Sequence, residues 1–174
     1  MLRIEELGKN HDRKSFDCGE LALNAFLQTL ARQQQEKGIS RTFVLVDNER
    51  PETILGYFSL VACEVVSEDL PTELAKKYPL RAPGAKLARL AVDRRRQRHG
   101  YGQIMLVEAM KKTLTVAENI GIIGFFVDAK NHEARNYYQR FGFLSFPVRP
   151  LEMFLPLATM RQALSDPVSR EGTG

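Results

Sequence analysis

The chain has 174 residues, 44% of them hydrophobic and 26% charged, with a net charge of +4 and a pI near 9.2. That length allows one real core, and that composition excludes a disordered or fibrous chain. No apolar run approaches the ~20 residues of a membrane helix, and Met1-Leu2-Arg3-Ile4-Glu5-Glu6 lacks a signal-peptide core, so a cytoplasmic protein without a membrane partner is expected. The two cysteines, Cys18 and Cys63, and the three histidines, His11, His99 and His132, show no metal-ligand spacing, so no metal is expected. Cys18 reads as a small buried thiol.

In chain order, Ile4–Leu7 reads as a short strand. Glu20–Lys37 carries a helical stripe (Leu21, Leu23, Ala25, Phe26, Leu30, Ala31) stopped by Gly38. Thr42–Val46 and Ile54–Val66 read as a hairpin around the turn Asp47–Glu52. A short helix at Leu70–Lys77 and a strand at Ala85–Val92 follow. Gly100–Asn119 is a long helix whose inner side is expected at Ile104, Val107, Met110, Leu114 and Ala117. Then come a buried strand, Ile122–Val127, a helix, Glu133–Phe141, and strands at Phe143–Phe146 and Glu152–Leu157. Hairpins first and strand–helix crossovers later predict an α/β fold, a mixed sheet covered by helices on both faces. Residues 1–165 are expected to form one domain and 166–174 a loose tail.

Between the strand ending at Val92 and the long helix lies Asp93-Arg94-Arg95-Arg96-Gln97-Arg98-His99-Gly100-Tyr101-Gly102-Gln103. The first N–H groups of a helix have no internal partner, and the helix dipole adds positive charge there. Gly100 and Gly102 remove side chains that would keep a phosphate from the backbone, and Arg98 adds charge. A Walker loop is excluded because no Lys-Ser/Thr follows Gly102. A dinucleotide fingerprint is excluded because Met105 stands where its third glycine belongs.

What remains, Gln97-x-x-Gly100-x-Gly102, resembles the Q/R-x-x-G-x-G/A pyrophosphate loop of the GNAT superfamily of N-acetyltransferases. Ala134-Arg135-Asn136-Tyr137-Tyr138-Gln139-Arg140-Phe141-Gly142-Phe143 resembles that superfamily's second signature. The entry region, Phe16-Asp17-Cys18-Gly19 through Thr42-Phe43-Val44, and Leu90-Ala91-Val92-Asp93 look like GNAT toxins of bacterial type II toxin–antitoxin pairs. The resemblance implies a mostly antiparallel sheet with two splayed central parallel strands. It implies acetyl-CoA as cosubstrate and the α-amino group of aminoacyl-tRNA as acceptor, so that translation is blocked. It also implies a small antitoxin that binds DNA, a toxin reaching DNA only through that antitoxin as a repressor partner, and a homodimer.

Carried onto this chain, the resemblance places the acetyl-CoA contacts at Leu90 and Val92 (pantetheine) and at Gln97, Arg98, His99, Gly100, Tyr101, Gly102 and Gln103 (pyrophosphate). Asn131 is a candidate contact or a helix cap. Tyr138 matches the catalytic tyrosine, a phenol able to donate to a departing thiolate, whereas Tyr137 reads as a core aromatic. No carboxylate lies between Ala85 and Val92, and Glu64 and Glu68 are base candidates only by proximity. An α-amino group of pKa ~8 needs less help than a lysine of ~10.4, which favours an aminoacyl ester. Arg89, Arg94, Arg95, Lys37, Arg41 and Lys86 are candidates for tRNA phosphates. Two alternatives stay open: an acetyltransferase for a small amine, an antibiotic or a protein N-terminus, and a non-catalytic acetyl-CoA-binding co-repressor.

Overall fold

The computed structural model describes residues 1–165, and the expected tail, 166–174, lies outside the described residues. Seven strands occur in the described chain: β1 (Leu2–Glu6), β2 (Arg41–Asp47), β3 (Gly56–Val66), β4 (Arg81–Val92), β5 (Gly124–Asp128), β6 (Leu144–Ser145) and β7 (Glu152–Pro156). The helices are α1 (Leu21–Ala25), α2 (Ala31–Glu36), α3 (Thr72–Ala75), α4 (Tyr101–Asn119), α5 (His132–Gln139) and α6 (Leu157–Ser165). The hydrogen-bonded strand order is β1-β2-β3-β4-β5-β7-β6.

The chain divides into two compact units: Met1–Val61 with Ala88–Ala109, and Ala62–Leu87 with Met110 onward. In the first, β1 pairs antiparallel with β2 (Ile4↔Leu45) and β2 with β3 (Phe43↔Phe58). Its core gathers Leu7, Phe16, Phe26, Leu27, Val44 and Tyr57, at ~1.5–3 kcal/mol for each large side chain buried. The Tyr57 hydroxyl donates to the Leu23 carbonyl at 2.6 Å, tying β3 to α1. In the second unit, β4 and β5 are parallel (Lys86↔Phe126), and β7 pairs antiparallel with both β5 and β6. Its core holds Val65, Leu70, Ala82, Phe126, Phe146 and Phe154, with Phe126 stacked on Phe154 at 4.8 Å.

Three expectations are corrected. The helix expected over Glu20–Lys37 carries a π-turn, Phe26–Leu30, between α1 and α2. Phe26 and Leu27 are buried within that widened turn, while Leu30 at its end and Leu21 at the start of α1 are exposed. In α4 the buried side is Met105, Leu106, Ala109, Met110 and Thr113, and Ile104 is exposed. Either set has helical spacing, so periodicity alone did not select the phase. Finally, α6 was not expected. Met160 is its single fully buried side chain, which leaves a weak apolar stripe.

Candidate active site

In the first unit, β4 leads straight into a buried carboxylate. Asp93 is 2% exposed and caps the 3-10 turn Arg94–Arg96. Its Oδ1 accepts from the backbone N–H and Nε of Arg95, both at 3.0 Å, and its Oδ2 accepts from Arg95 Nη2 and the Asp17 N–H. Burial by itself would push this carboxyl up, but those donors hold it below the usual carboxylate range. Asp17 accepts from the Gly19 N–H and Asn24 Nδ2, which lower its pKa, and pairs with Arg94 at 3.1 Å. The Gln97 amide donates to the Val92 carbonyl at 3.2 Å and to the Cys18 carbonyl at 3.4 Å. The segment 93–97 is thus pinned to the turn Phe16–Gly19 by side chains that a charge count would assign to solvent. The Cys18 thiol is buried and its pKa is raised by that burial, as a structural cysteine requires.

Beyond Gln97 the backbone changes character. Arg98 has φ +67°, the one left-handed non-glycine among the described residues, and Gly100 has φ +76°. The arginine conformation costs about 1–2 kcal/mol, and alternating left-handed residues turn successive N–H groups into a concave, anion-binding array. From Arg98 to Gln103 no backbone N–H has an acceptor among the described residues. A Cβ added at Gly100 or at Gly102 would meet nothing within 4 Å. Free N–H groups, open space and the N-terminus of a 19-residue helix coincide, and this arrangement fits a pyrophosphate. The His99 ring stacks on Tyr101 at 5.5 Å. Leu90 and Val92 are half-buried on β4, and the Val92 carbonyl is the one Gln97 engages.

In the second unit, Asn131 Oδ1 accepts from the Ala134 N–H at 2.8 Å, so this side chain caps α5. Tyr138 lies on α5 with 9% of its surface exposed. Its ring meets Tyr137 and Phe143 edge-on, both at 5.5 Å, and Phe143 packs on Phe125 of β5 at 5.9 Å. Gly142, at φ +100°, reverses the chain and brings Phe143 under Tyr138. The Tyr138 hydroxyl has no hydrogen-bond partner among the described residues, and burial first, then the neighbouring Tyr137, push its phenol up to about 12. Tyr137, expected as the core aromatic, is the less buried of the two and carries Arg140 over its ring at 5.3 Å.

The remaining cations separate into two groups. Arg41 pairs with Glu6 at 3.1 Å and Lys86 with Asp128 at 2.6 Å. Arg89 and the exposed Lys37 have no carboxylate partner among the described residues, and the Arg89 guanidinium lies 3.6 Å from the centre of the Phe26 ring. Glu64 is exposed and paired with Arg81, and Glu68 is exposed. Among the described residues there is no group of His, Cys, Asp and Glu able to hold a metal ion. Sequence reasoning missed Asp17, Asn24 and Asp93 as loop anchors. The available signal was an aspartate directly after a strand and before a turn, the usual place for a cap.

Comparison with known proteins identifies the family. Residues 10–143 match the model of the Acetyltransferase (GNAT) family. The chain is 32% identical over 155 residues to a tRNA-acetylating toxin of Mycobacterium tuberculosis (strain ATCC 25618 / H37Rv), covering 89% of this chain and 92% of that protein. It is similar to AtaT complexed with acetyl-methionyl-tRNAfMet, with a TM-score of 0.87, 32% identity and coverage of 95% of this chain and 100% of that one. It is also similar to a tyrosine-to-phenylalanine mutant of the AtaT toxin bound to the C-terminus of the antitoxin AtaR and to acetyl-CoA, with a TM-score of 0.79, 29% identity and coverage of 95% and 99%. With the family match spanning residues 10–143 and a relative at 32% identity over most of both chains, this chain belongs to the acetyltransferase (GNAT) family.

Proposed function

We propose that the protein is a toxin N-acetyltransferase that moves acetyl from acetyl-CoA to the α-amino group of an aminoacyl-tRNA and so blocks translation. The observation that carries this is the run of unpaired N–H groups from Arg98 to Gln103 below the open faces of Gly100 and Gly102. The tRNA acceptor is supported by the relatives, a tRNA-acetylating toxin and a toxin complexed with acetyl-methionyl-tRNA.

The N–H groups of Arg98–Gln103 hold the pyrophosphate, and the backbone near Leu90 and Val92 takes the pantetheine arm. Gln97, Asp93 and Asp17 keep that loop in place from behind. The substrate's neutral amine attacks the thioester carbonyl, a C–N bond forms and the C–S bond breaks. The Tyr138 hydroxyl donates its proton to the leaving thiolate and is reprotonated from solvent, and the amine loses one proton to solvent. A phenol at about 12 stays protonated at every physiological pH, so it enters each turnover as a donor. Arg89 and Lys37, which lack carboxylate partners among the described residues, are the first cations to consider for tRNA phosphates. Arg94, Arg95, Arg41 and Lys86 reach phosphate only by sharing or releasing an existing ion pair.

Residues 1–165 act in this reading as one acetyltransferase domain, cytoplasmic and homodimeric. A small DNA-binding antitoxin neutralises the toxin and links it to DNA; the relative bound to the antitoxin AtaR supports the antitoxin partner. The test is transfer of labelled acetyl to total tRNA, charged and uncharged. Label on charged tRNA alone supports the proposal. Bound acetyl-CoA without label on RNA would move the acceptor to a small amine or a protein N-terminus.

A further inference from the structure

The second unit contains a half-open cavity of about 190 Å³ that no step above uses. Cys63, Val65, Phe126 and Phe146 make its apolar walls. Glu64, Asp69, Lys86, Asp128, Arg149 and Glu152 make its polar lining, four carboxylates against two cations. Every charged group here is engaged: Lys86 holds Asp128 at 2.6 Å, Arg149 holds Asp69 at 3.0 Å and also bonds Glu152, and Arg81 holds Glu64 at 3.1 Å. An RNA phosphate therefore finds no uncommitted cation here, and Arg149, shared by two carboxylates, leaves one negative charge in surplus. An amine carrying an apolar group meets the opposite conditions, because carboxylate oxygens accept its N–H groups and the apolar walls take its side chain.

The position of the cavity in its unit gives it a role. Successive residues of a strand point to opposite faces. On β5, Phe126 and Asp128 line the cavity, while Phe125 packs on Phe143, which packs on Tyr138. The cavity and the tyrosine thus flank the same strand from opposite sides. An amine attacking a thioester carbon and a group protonating the departing sulfur approach from different directions, and within this unit the cavity and Tyr138 lie on different faces of β5.

We infer that this cavity receives the aminoacyl group of the acceptor and selects an apolar side chain of up to about phenyl size. This inference rests on the proposed function. The side chain lies against Phe126, Phe146, Val65 and Cys63, and the amine faces the carboxylates. An empty apolar cavity of ~150 Å³ is enough for benzene, so the volume suits methionine, leucine or phenylalanine. Glycine leaves the apolar walls uncovered. Aspartate brings a carboxylate to a lining that already has an excess of them.

The experiment charges one tRNA transcript, by a flexible acylating ribozyme, with methionine, leucine, phenylalanine, glycine or aspartate in turn. Initial acetylation rates give kcat/KM for each. The expected result is a preference of at least ~10-fold for the three apolar side chains over glycine and aspartate, the scale of hydrophobic-pocket discrimination. Cys63→Phe, which fills the cavity, should collapse the phenylalanine-to-glycine ratio toward one. Cys63→Leu, a smaller filling, should lower it part of the way, and melting curves with acetyl-CoA titration confirm that each variant is folded. Equal rates for all five side chains, or a ratio unchanged in both folded variants, would overturn the cavity's role while leaving the proposed function intact. No acetylation of any charged tRNA by protein that binds acetyl-CoA would overturn both.

Discussion

The side-chain amide of Gln97 donates to the backbone carbonyl of Val92, 3.2 Å away, and so closes the end of β4 onto the loop that follows it. The first residue of the Gln97-x-x-Gly100-x-Gly102 pattern therefore acts on the protein, and the glycines face outward. Gln97→Ala is expected to loosen the loop without removing a ligand. Loss of the equivalent of one hydrogen bond at ~0.5–1.5 kcal/mol predicts a rise of about 2- to 12-fold in the acetyl-CoA Kd, with little change in kcat. Calorimetric titration with acetyl-CoA and steady-state kinetics check this, and an unchanged Kd would leave the side chain without a role in the loop.

Gly102→Asp should weaken acetyl-CoA much more. It sets a carboxylate among the N–H groups of Arg98–Gln103, where no Cβ now stands and nothing lies within 4 Å. Charge repulsion in place of attraction predicts a loss of at least about 30-fold in affinity, roughly 2 kcal/mol. A normal dissociation constant in folded protein would place the pyrophosphate elsewhere.

Tyr138→Phe removes the unpartnered hydroxyl and keeps the ring against Tyr137 and Phe143. Loss of a general acid predicts a fall of about 10²- to 10⁴-fold in kcat with acetyl-CoA affinity preserved. The pH dependence has a definite sign. Because burial raises this phenol to about 12, the donor form persists on the alkaline side, and activity should rise with pH as the amine loses its proton and then stay level to pH 10. In Tyr138→Phe the plateau should drop while the rising limb keeps its midpoint. A limb that moves would mean the tyrosine is what titrates.

Asp93→Asn leaves the shape and removes the charge that Arg95 and the Asp17 N–H serve. The expected loss is about 1–3 kcal/mol of folding stability, measured by denaturant unfolding at pH 7. Asp93 and Asp17 both have lowered carboxyl pKa values in the fold. Their stabilisation is therefore fully present above the unfolded pKa of ~3.9 and is lost as pH falls through the lower folded values. The gap between wild type and Asp93→Asn should close in that acid range. A gap constant from pH 7 to pH 2 would remove the ionic contribution.

Gly124→Ala tests packing in the second unit. A Cβ there would stand 2.4 Å from the Leu155 carbonyl oxygen and 2.5 Å from the Phe154 ring. Overpacking against backbone predicts about 1–3 kcal/mol of destabilisation, or a Tm lower by roughly 2–12 °C. A thermal melt equal to wild type would show that β5 and β7 can separate without penalty.

Much of this protein is written locally. Strand, glycine-bearing loop and helix follow one another in sequence, so the open helix N-terminus at Arg98–Gln103 is visible in a short stretch of letters. The same holds for Asn131, whose capping bond spans three residues, and for Tyr138, whose partner Phe143 lies just past the turn at Gly142. Other features depend on what the rest of the chain brings near. Periodicity proposed Ile104 for the inside of α4, yet Met105 is buried, because an amphipathic stripe fixes spacing but not the rotation of the helix against its neighbours. The arginines after Asp93 looked like a free basic patch, yet Arg94 and Arg95 are held by Asp17 and Asp93, and Arg95 also reaches the carbonyl of Ser15, 80 positions away. The sequence by itself determined where a glycine-bearing helix N-terminus stands and where Tyr138 falls on its short helix, because local patterns over a few residues decide both. Only the tertiary structure decided which cations are free and which aromatic is buried, because ion pairing and desolvation depend on residues distant in the chain.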